Sequence, residues 1–140
     1  MNKTILLKTS FLFLFVFTLT GCGDGVKSEH TIVTGNVTVD GAPVSMEATE
    51  AGYPPMTYMY FYHIATKRSY EAAIENGTYS VTGHNTEGIP YGEYKVHLTQ
   101  STIEDPEKDL FDGKLSIENT PHTATVSASA NSFNFDIKSK

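Results

Sequence analysis

The chain has 140 residues, 16 acidic against 10 basic, a net charge of −6, one cysteine and no tryptophan. That length suits one ordinary domain with a single core, not two. The acidic balance argues against nucleic acid or anionic lipid as a partner, because both need basic patches, and a lone cysteine cannot form an internal disulfide.

Lys3 and Lys8 precede the apolar run Phe11-Leu12-Phe13-Leu14-Phe15-Val16-Phe17, and Leu19-Thr20-Gly21-Cys22 follows it. A charged segment, a short apolar segment and small residues before a cut site make up a secretory signal peptide, which would be helical and removed. The run is too short for a transmembrane helix, which needs about 20 apolar residues. Residues 1–21 resemble a bacterial lipoprotein signal, and Leu19-Thr20-Gly21-Cys22 fits its lipobox. The resemblance implies diacylglyceryl transfer to the Cys22 thiol, cleavage before Cys22, and acylation of the new amino terminus. Several acyl chains, at about 0.8 kcal/mol per buried CH₂, hold a protein firmly to a bilayer. Lys3 and Lys8 leave with the signal, so the remainder carries eight basic against sixteen acidic residues, a net charge near −8.

Residues 22–30 read as the lipidated cysteine and a short polar tether, GDGVKSE at its centre. Seven extended residues at about 3.5 Å each reach about 25 Å, which keeps the domain close to the membrane. Gly23, where an aspartate would resemble an inner-membrane retention signal, favours the outer membrane, with the domain in the periplasm or at the cell surface.

Residues 31–140 read as the folded domain, and their periodicity is two. Val33, Gly35, Val37 and Val39 alternate with polar residues up to the turn pair Asp40-Gly41. Residues 59–64 (MYFYHI) are apolar on both faces, as a central strand would be. Tyr70, Ala72 and Ile74 point one way, and Asn76-Gly77 predicts a tight hairpin into Thr78–Val81 with Tyr79 and Val81 inward. Tyr94, Val96 and Leu98 alternate with Lys95, His97 and Thr99 on a later strand. Ala124, Val126 and Ala128 predict another, and Phe133, Phe135 and Ile137 the last, with Asn134 and Asp136 outward. Residues 45–56 and 103–113 read as loops, the second with room for a helical turn after Pro106. The fold expected is all-β: an antiparallel β-sandwich of about seven to eight strands, of Ig-like architecture, with a closed barrel as the alternative.

Four segments carry a wider resemblance. They are residues 33–44 (VTGNVTVDGAPV), residues 74–81 (IENGTYSV), residues 89–96 (IPYGEYKV), and the tail from Asn119-Thr120-Pro121-His122 to Phe133-Asn134-Phe135-Asp136-Ile137. In that order they resemble the carboxypeptidase regulatory-like, or transthyretin-like (prealbumin-like), domain, in the small lipoproteins common in planctomycete bacteria. The resemblance implies a prealbumin-like sandwich without a catalytic centre. The tyrosine-rich stretch from Tyr53 to Tyr62 departs from the family pattern, and the arginine and histidine motifs of transthyretin-like hydrolases have no counterpart.

The residues themselves offer little for catalysis. The five histidines form no His-x-His or His-Glu-x-x-His pattern, there is no Gly-x-Ser-x-Gly elbow, and lipid would consume Cys22. Asp105, Glu107, Asp109 and Asp112 suggest calcium, but a loop counted from Asp105 has Leu110 where an EF-hand needs glycine. No catalytic residue, metal or cofactor is therefore expected. Tyrosine combines an apolar face with a polar tip suited to sugars or protein surfaces. Tyr53, Tyr58, Tyr60 and Tyr62 make the candidate binding surface for an envelope polysaccharide or protein partner. Along residues 58–64 the tyrosines share one face and Met59, Phe61 and His63 the other, and either face could be the core. The function expected is a non-catalytic, lipid-anchored envelope module that binds or scaffolds. The alternatives are a sugar- or peptide-binding module and a small metal-dependent hydrolase.

Overall fold

The computed structural model describes residues 29–44 and 52–139. The signal segment 1–21, Cys22, the tether as far as Ser28 and residues 45–51 lie outside the described residues. Among those described, all regular structure is β. The strands are β1 (His30–Thr31), β2 (Val33–Val39), β3 (Ala42–Pro43), β4 (Met56–His63), β5 (Arg68–Glu71) and β6 (Ala73–Glu75). They continue with β7 (Thr78–Val81), β8 (Ile89–Pro90), β9 (Gly92–Ser101), β10 (Thr123–Val126) and β11 (Phe135–Ile137).

Two sheets carry the core. One has the order β11-β2-β7-β6, with β3 folded back on β2, the other the order β10-β9-β4-β5, while β1 and β8 form a short ribbon. The period-two pattern sets the faces: Val33, Gly35 and Val37 are buried while Thr34 and Asn36 are exposed. On β4 it is Met59, Phe61 and His63 that face inward. The ring of Phe61 lies 5.7 Å from that of Tyr79 on β7 and 6.2 Å from that of Phe135 on β11, so aromatic contacts join the sheets. Both predicted turn pairs have left-handed backbone at each residue: Asp40 and Gly41 at φ 52° and 81°, Asn76 and Gly77 at 48° and 77°. That geometry matches the right-handed twist of the flanking strands.

Four details differ from the sequence expectations. The antiparallel expectation fails at the last strand, since β11 runs parallel to β2 with Phe135 opposite Val37 and Ile137 opposite Val39. Side chains on the outer face fit that register: Asn36 Nδ2 donates to Asn134 Oδ1 at 3.1 Å and Thr38 Oγ1 to Asp136 Oδ1 at 2.9 Å. The single strand expected over Tyr70–Glu75 breaks at Ala72, so β5 pairs with β4 in one sheet and β6 with β7 in the other. The strand expected through Ala128 ends at Val126, where Ala128 is exposed. No helical turn follows Pro106; residues 110–119 form successive turns.

Those turns protect an edge. β10 covers only Gly92 to Lys95 of β9. Beyond it, Val96 N–H donates to His122 O at 2.9 Å, Leu98 N–H to Leu115 O at 3.1 Å and Gln100 N–H to Asp109 Oδ1 at 3.1 Å. An otherwise unpaired edge, a template for aggregation, is thereby closed.

Candidate binding face

β4 is bordered by β9 along its length and by β5 from Tyr60 to His63, so Tyr60 and Tyr62 sit in the middle of a sheet and Tyr58 just beyond the end of β5. The register places Tyr58 opposite Thr99, Tyr60 opposite His97, and Tyr62 opposite Lys95 on β9. Glu71 and Ser69 of β5 lie across from Tyr60 and Tyr62. Three tyrosines at every second position span about 13 Å along the strand, at about 3.3 Å per residue.

The centre of this face is a stack. The rings of Tyr60 and His97 lie 5.1 Å apart and only 20° from parallel. Burial lowers the His97 pKa below the ordinary histidine value, opposed by the nearby negative charge of Glu118. Burial likewise raises the Tyr60 hydroxyl pKa, helped by Glu71 and Tyr58. His97 Nε2 is buried without a hydrogen-bond partner among the described residues. Such an atom costs about 1–3 kcal/mol until something completes it.

A hollow flanks the stack on each side. One, of about 280 Å³, is lined by Tyr62, Ile64, Lys67, Lys95, Ile117 and Glu118. Lys95 is fixed there by donating from Nζ to Ile117 O at 3.0 Å. The other, of about 210 Å³, is bordered by Tyr58, Thr99, Gln100 and Pro106. A ribbon-shaped ligand could lie across a stacked pair and dip into both depressions.

The eight tyrosines therefore divide. Tyr58, Tyr60 and Tyr62 share the outer face, with Tyr58 36% exposed. Tyr53 is 72% exposed but precedes β4 and borders a different hollow with Thr102, Ile103 and Glu104. Tyr70, Tyr79 and Tyr94 are core residues, and half-buried Tyr91 packs against that core. His97 completes the face, and sequence reasoning had placed it outward without linking it to the tyrosines. The missing information was cross-strand register.

Three other candidates for chemistry are occupied structurally. Asp109 Oδ1 accepts from the backbone N–H of Gln100 and of Phe111 at 3.1 Å each, and Oδ2 from Gly113 N–H at 2.9 Å. Its carboxylate thus organises the acidic loop. His63 Nδ1 meets Thr66 Oγ1 at 2.7 Å and its ring lies 4.8 Å from Tyr94. His122 packs edge-on against Phe135 at 5.7 Å. No group of three His, Cys, Asp or Glu residues able to hold a metal occurs among the described residues. No family model matches this chain, and no curated protein or solved structure matches it.

Proposed function

We propose that the protein is a non-catalytic, lipid-anchored binding module of the bacterial cell envelope, favouring the outer membrane. In this reading the domain is a prealbumin-like β-sandwich of the carboxypeptidase regulatory-like kind, held to the bilayer through acylated Cys22. The Tyr58-Tyr60-Tyr62 face meets an envelope polysaccharide or an extended peptide. The observation that carries the binding role is the Tyr60–His97 stack between two hollows, on a face that the core does not need. The anchoring role rests on Leu19-Thr20-Gly21-Cys22 behind a short apolar run.

Two experiments test the two halves separately. Cys22→Ser is expected to abolish incorporation of labelled fatty acid and to move the protein out of the membrane fraction. Unchanged fractionation would remove the anchoring role. On glycan arrays and peptide pull-downs, the paired change Tyr58→Ala and Tyr62→Ala is expected to weaken binding at least about tenfold, as for aromatic hot spots. Such outward substitutions should leave stability within about 0.5 kcal/mol each. Binding that survives both changes places recognition elsewhere on the molecule.

A further inference from the structure

A second site lies where the described chain enters the fold, away from the tyrosine face. Arg68 is the chain's sole arginine. It opens β5 opposite His63 and stands on the same side of the strand as buried Tyr70, because side chains two apart share a face. An inward row thus ends in a guanidinium at the rim of the core. Among the described residues Arg68 has no ion-pair partner, and Glu87, which shares its cavity, is not bonded to it.

Three separate segments bring cationic or polar donors to that rim. His84 arrives on the loop between β7 and β8, its ring 5.8 Å from that of Tyr70. His30 arrives on β1, set opposite Pro90 by the β1–β8 ribbon. With Arg68, Asn85, Glu87 and Gly88 they line an open hollow of about 150 Å³, its charged and polar side chains exposed to solvent. At about 30 Å³ per water that is room for about five waters, and well below the roughly 300–1,000 Å³ of drug-sized sites. The occupant is a small group. The lining chemistry sets its charge: a guanidinium fork with five N–H donors, two imidazoles and an amide face one carboxylate. A carboxylate held by the fork keeps only about two lone-pair sites for the flanking donors, whereas a tetrahedral phosphate has further oxygens, and more negative charge, to offer them.

We propose that this cavity binds a single phosphate group, with Arg68 as its bidentate anchor and His30, His84 and Asn85 as flanking donors. Glu87 opposes the anion and keeps binding weak. The net charge of −6 disfavours extended polyanion surfaces, so the ligand is one phosphate in a cavity rather than a membrane sheet or nucleic acid. The site shares no residue with the tyrosine face, so either can fail without the other.

Calorimetric titration of the full chain in detergent micelles tests it, with inorganic phosphate, glycerophosphoglycerol and acetate as probes. Inorganic phosphate should bind saturably with a roughly millimolar dissociation constant. Arg68→Gln should weaken that binding at least about tenfold, the loss of one charge-assisted fork. Arg68→Lys should weaken it less, and Glu87→Gln should tighten it. Equal binding of glycerophosphoglycerol assigns the site to a phosphodiester headgroup; its failure to bind assigns it to free phosphate or a monoester. Thermal melts check each variant, and if Arg68→Gln does not fold, Arg68→Lys and Glu87→Gln decide. Absent phosphate binding, acetate binding as tightly as phosphate, or folded Arg68 variants that bind phosphate unchanged would overturn the proposal.

Discussion

Gly35→Ala is expected to lower the melting temperature by roughly 15 °C or more, and the bulkier Gly35→Val to lower it further. Gly35 sits in the middle of β2, where β-branched residues usually stabilise a strand. Here a Cβ would stand 1.7 Å from the Phe133 carbonyl oxygen and 3.0 Å from Cε1 of Tyr79. The nearer atom is backbone, and it is held from two directions. Phe133 N–H donates to Thr34 O at 3.0 Å, and the Tyr79 hydroxyl donates to that same Phe133 carbonyl at 2.8 Å. Making room means lifting residues 131–133 off β2 and breaking the Tyr79 bond. Overpacking of this sort costs about 1–3 kcal/mol and a stranded buried hydrogen-bonding group about 1–3 kcal/mol more. Small domains hold only about 5–15 kcal/mol in all, and each kcal/mol shifts the melting temperature by roughly 4–8 °C at this size. Urea and thermal melts of the two variants check the expectation. A Gly35→Ala protein melting within a few degrees of the parent would mean that residues 131–133 do not cross over Gly35.

Gly35 also marks how far sequence could be read. Period-two alternation identified β2, β4, β7 and β9 and assigned their inward residues, because alternation is set locally by the pleat. It could not assign partners. β11 pairs with a strand almost a hundred residues away, and nothing within either strand encodes that one runs parallel to the other. For the same reason Gly35 read as an ordinary inward position, although its lack of a side chain is what admits the C-terminal segment. The break at Ala72 was hidden by a pattern that stays regular through it: Tyr70 and Ala72 are buried and Ile74 half-buried, so the inward row continues while the strand changes sheets.

The binding face was half legible. Residues 58–64 separated tyrosines from Met59, Phe61 and His63, but either set could have faced the core. Cross-strand neighbours settle it, since Phe61 meets Tyr79 and Phe135 while Tyr60 meets His97. The cavity around Arg68 was not legible at all. Its residues come from β1, β5 and the loop before β8, and at the level of sequence they are one arginine and two scattered histidines. Asp109 is the converse case. Its acidic neighbours invite a cation that the loop spacing already argues against, and three backbone N–H groups occupy its carboxylate.

The core tyrosines give the domain an alkaline limit. Tyr79 and Tyr94 are the largest fully buried side chains, and each hydroxyl donates to a backbone carbonyl, Tyr94 to Pro90 O at 2.6 Å and Tyr79 to Phe133 O at 2.8 Å. A phenolate could not donate and would confront carbonyl lone pairs. Burial therefore pushes both pKa values well above the ordinary tyrosine value, with Tyr70 adding to the shift at Tyr94. In the unfolded chain both ionise near pH 10. Between that pH and the higher folded-state values the folded protein binds more protons than the unfolded one, so stability falls as pH rises. Below about pH 9 the contribution is complete. Urea midpoints are expected to be level from about pH 7 to 9 and to drop steeply above 10, with part of the tyrosinate absorbance appearing only on unfolding. Tyr79→Phe should cost about 1–2 kcal/mol at neutral pH through the lost hydrogen bond, yet flatten the alkaline decline. Midpoints that stay level through about pH 11, or tyrosinate absorbance complete in the folded chain, would contradict the burial of these hydroxyls. Because the Tyr79 hydroxyl holds the carbonyl that crosses Gly35, alkaline opening should begin at the C-terminal segment. Hydrogen exchange at Phe133 and Phe135 should accelerate at lower pH than exchange on β4 and β9.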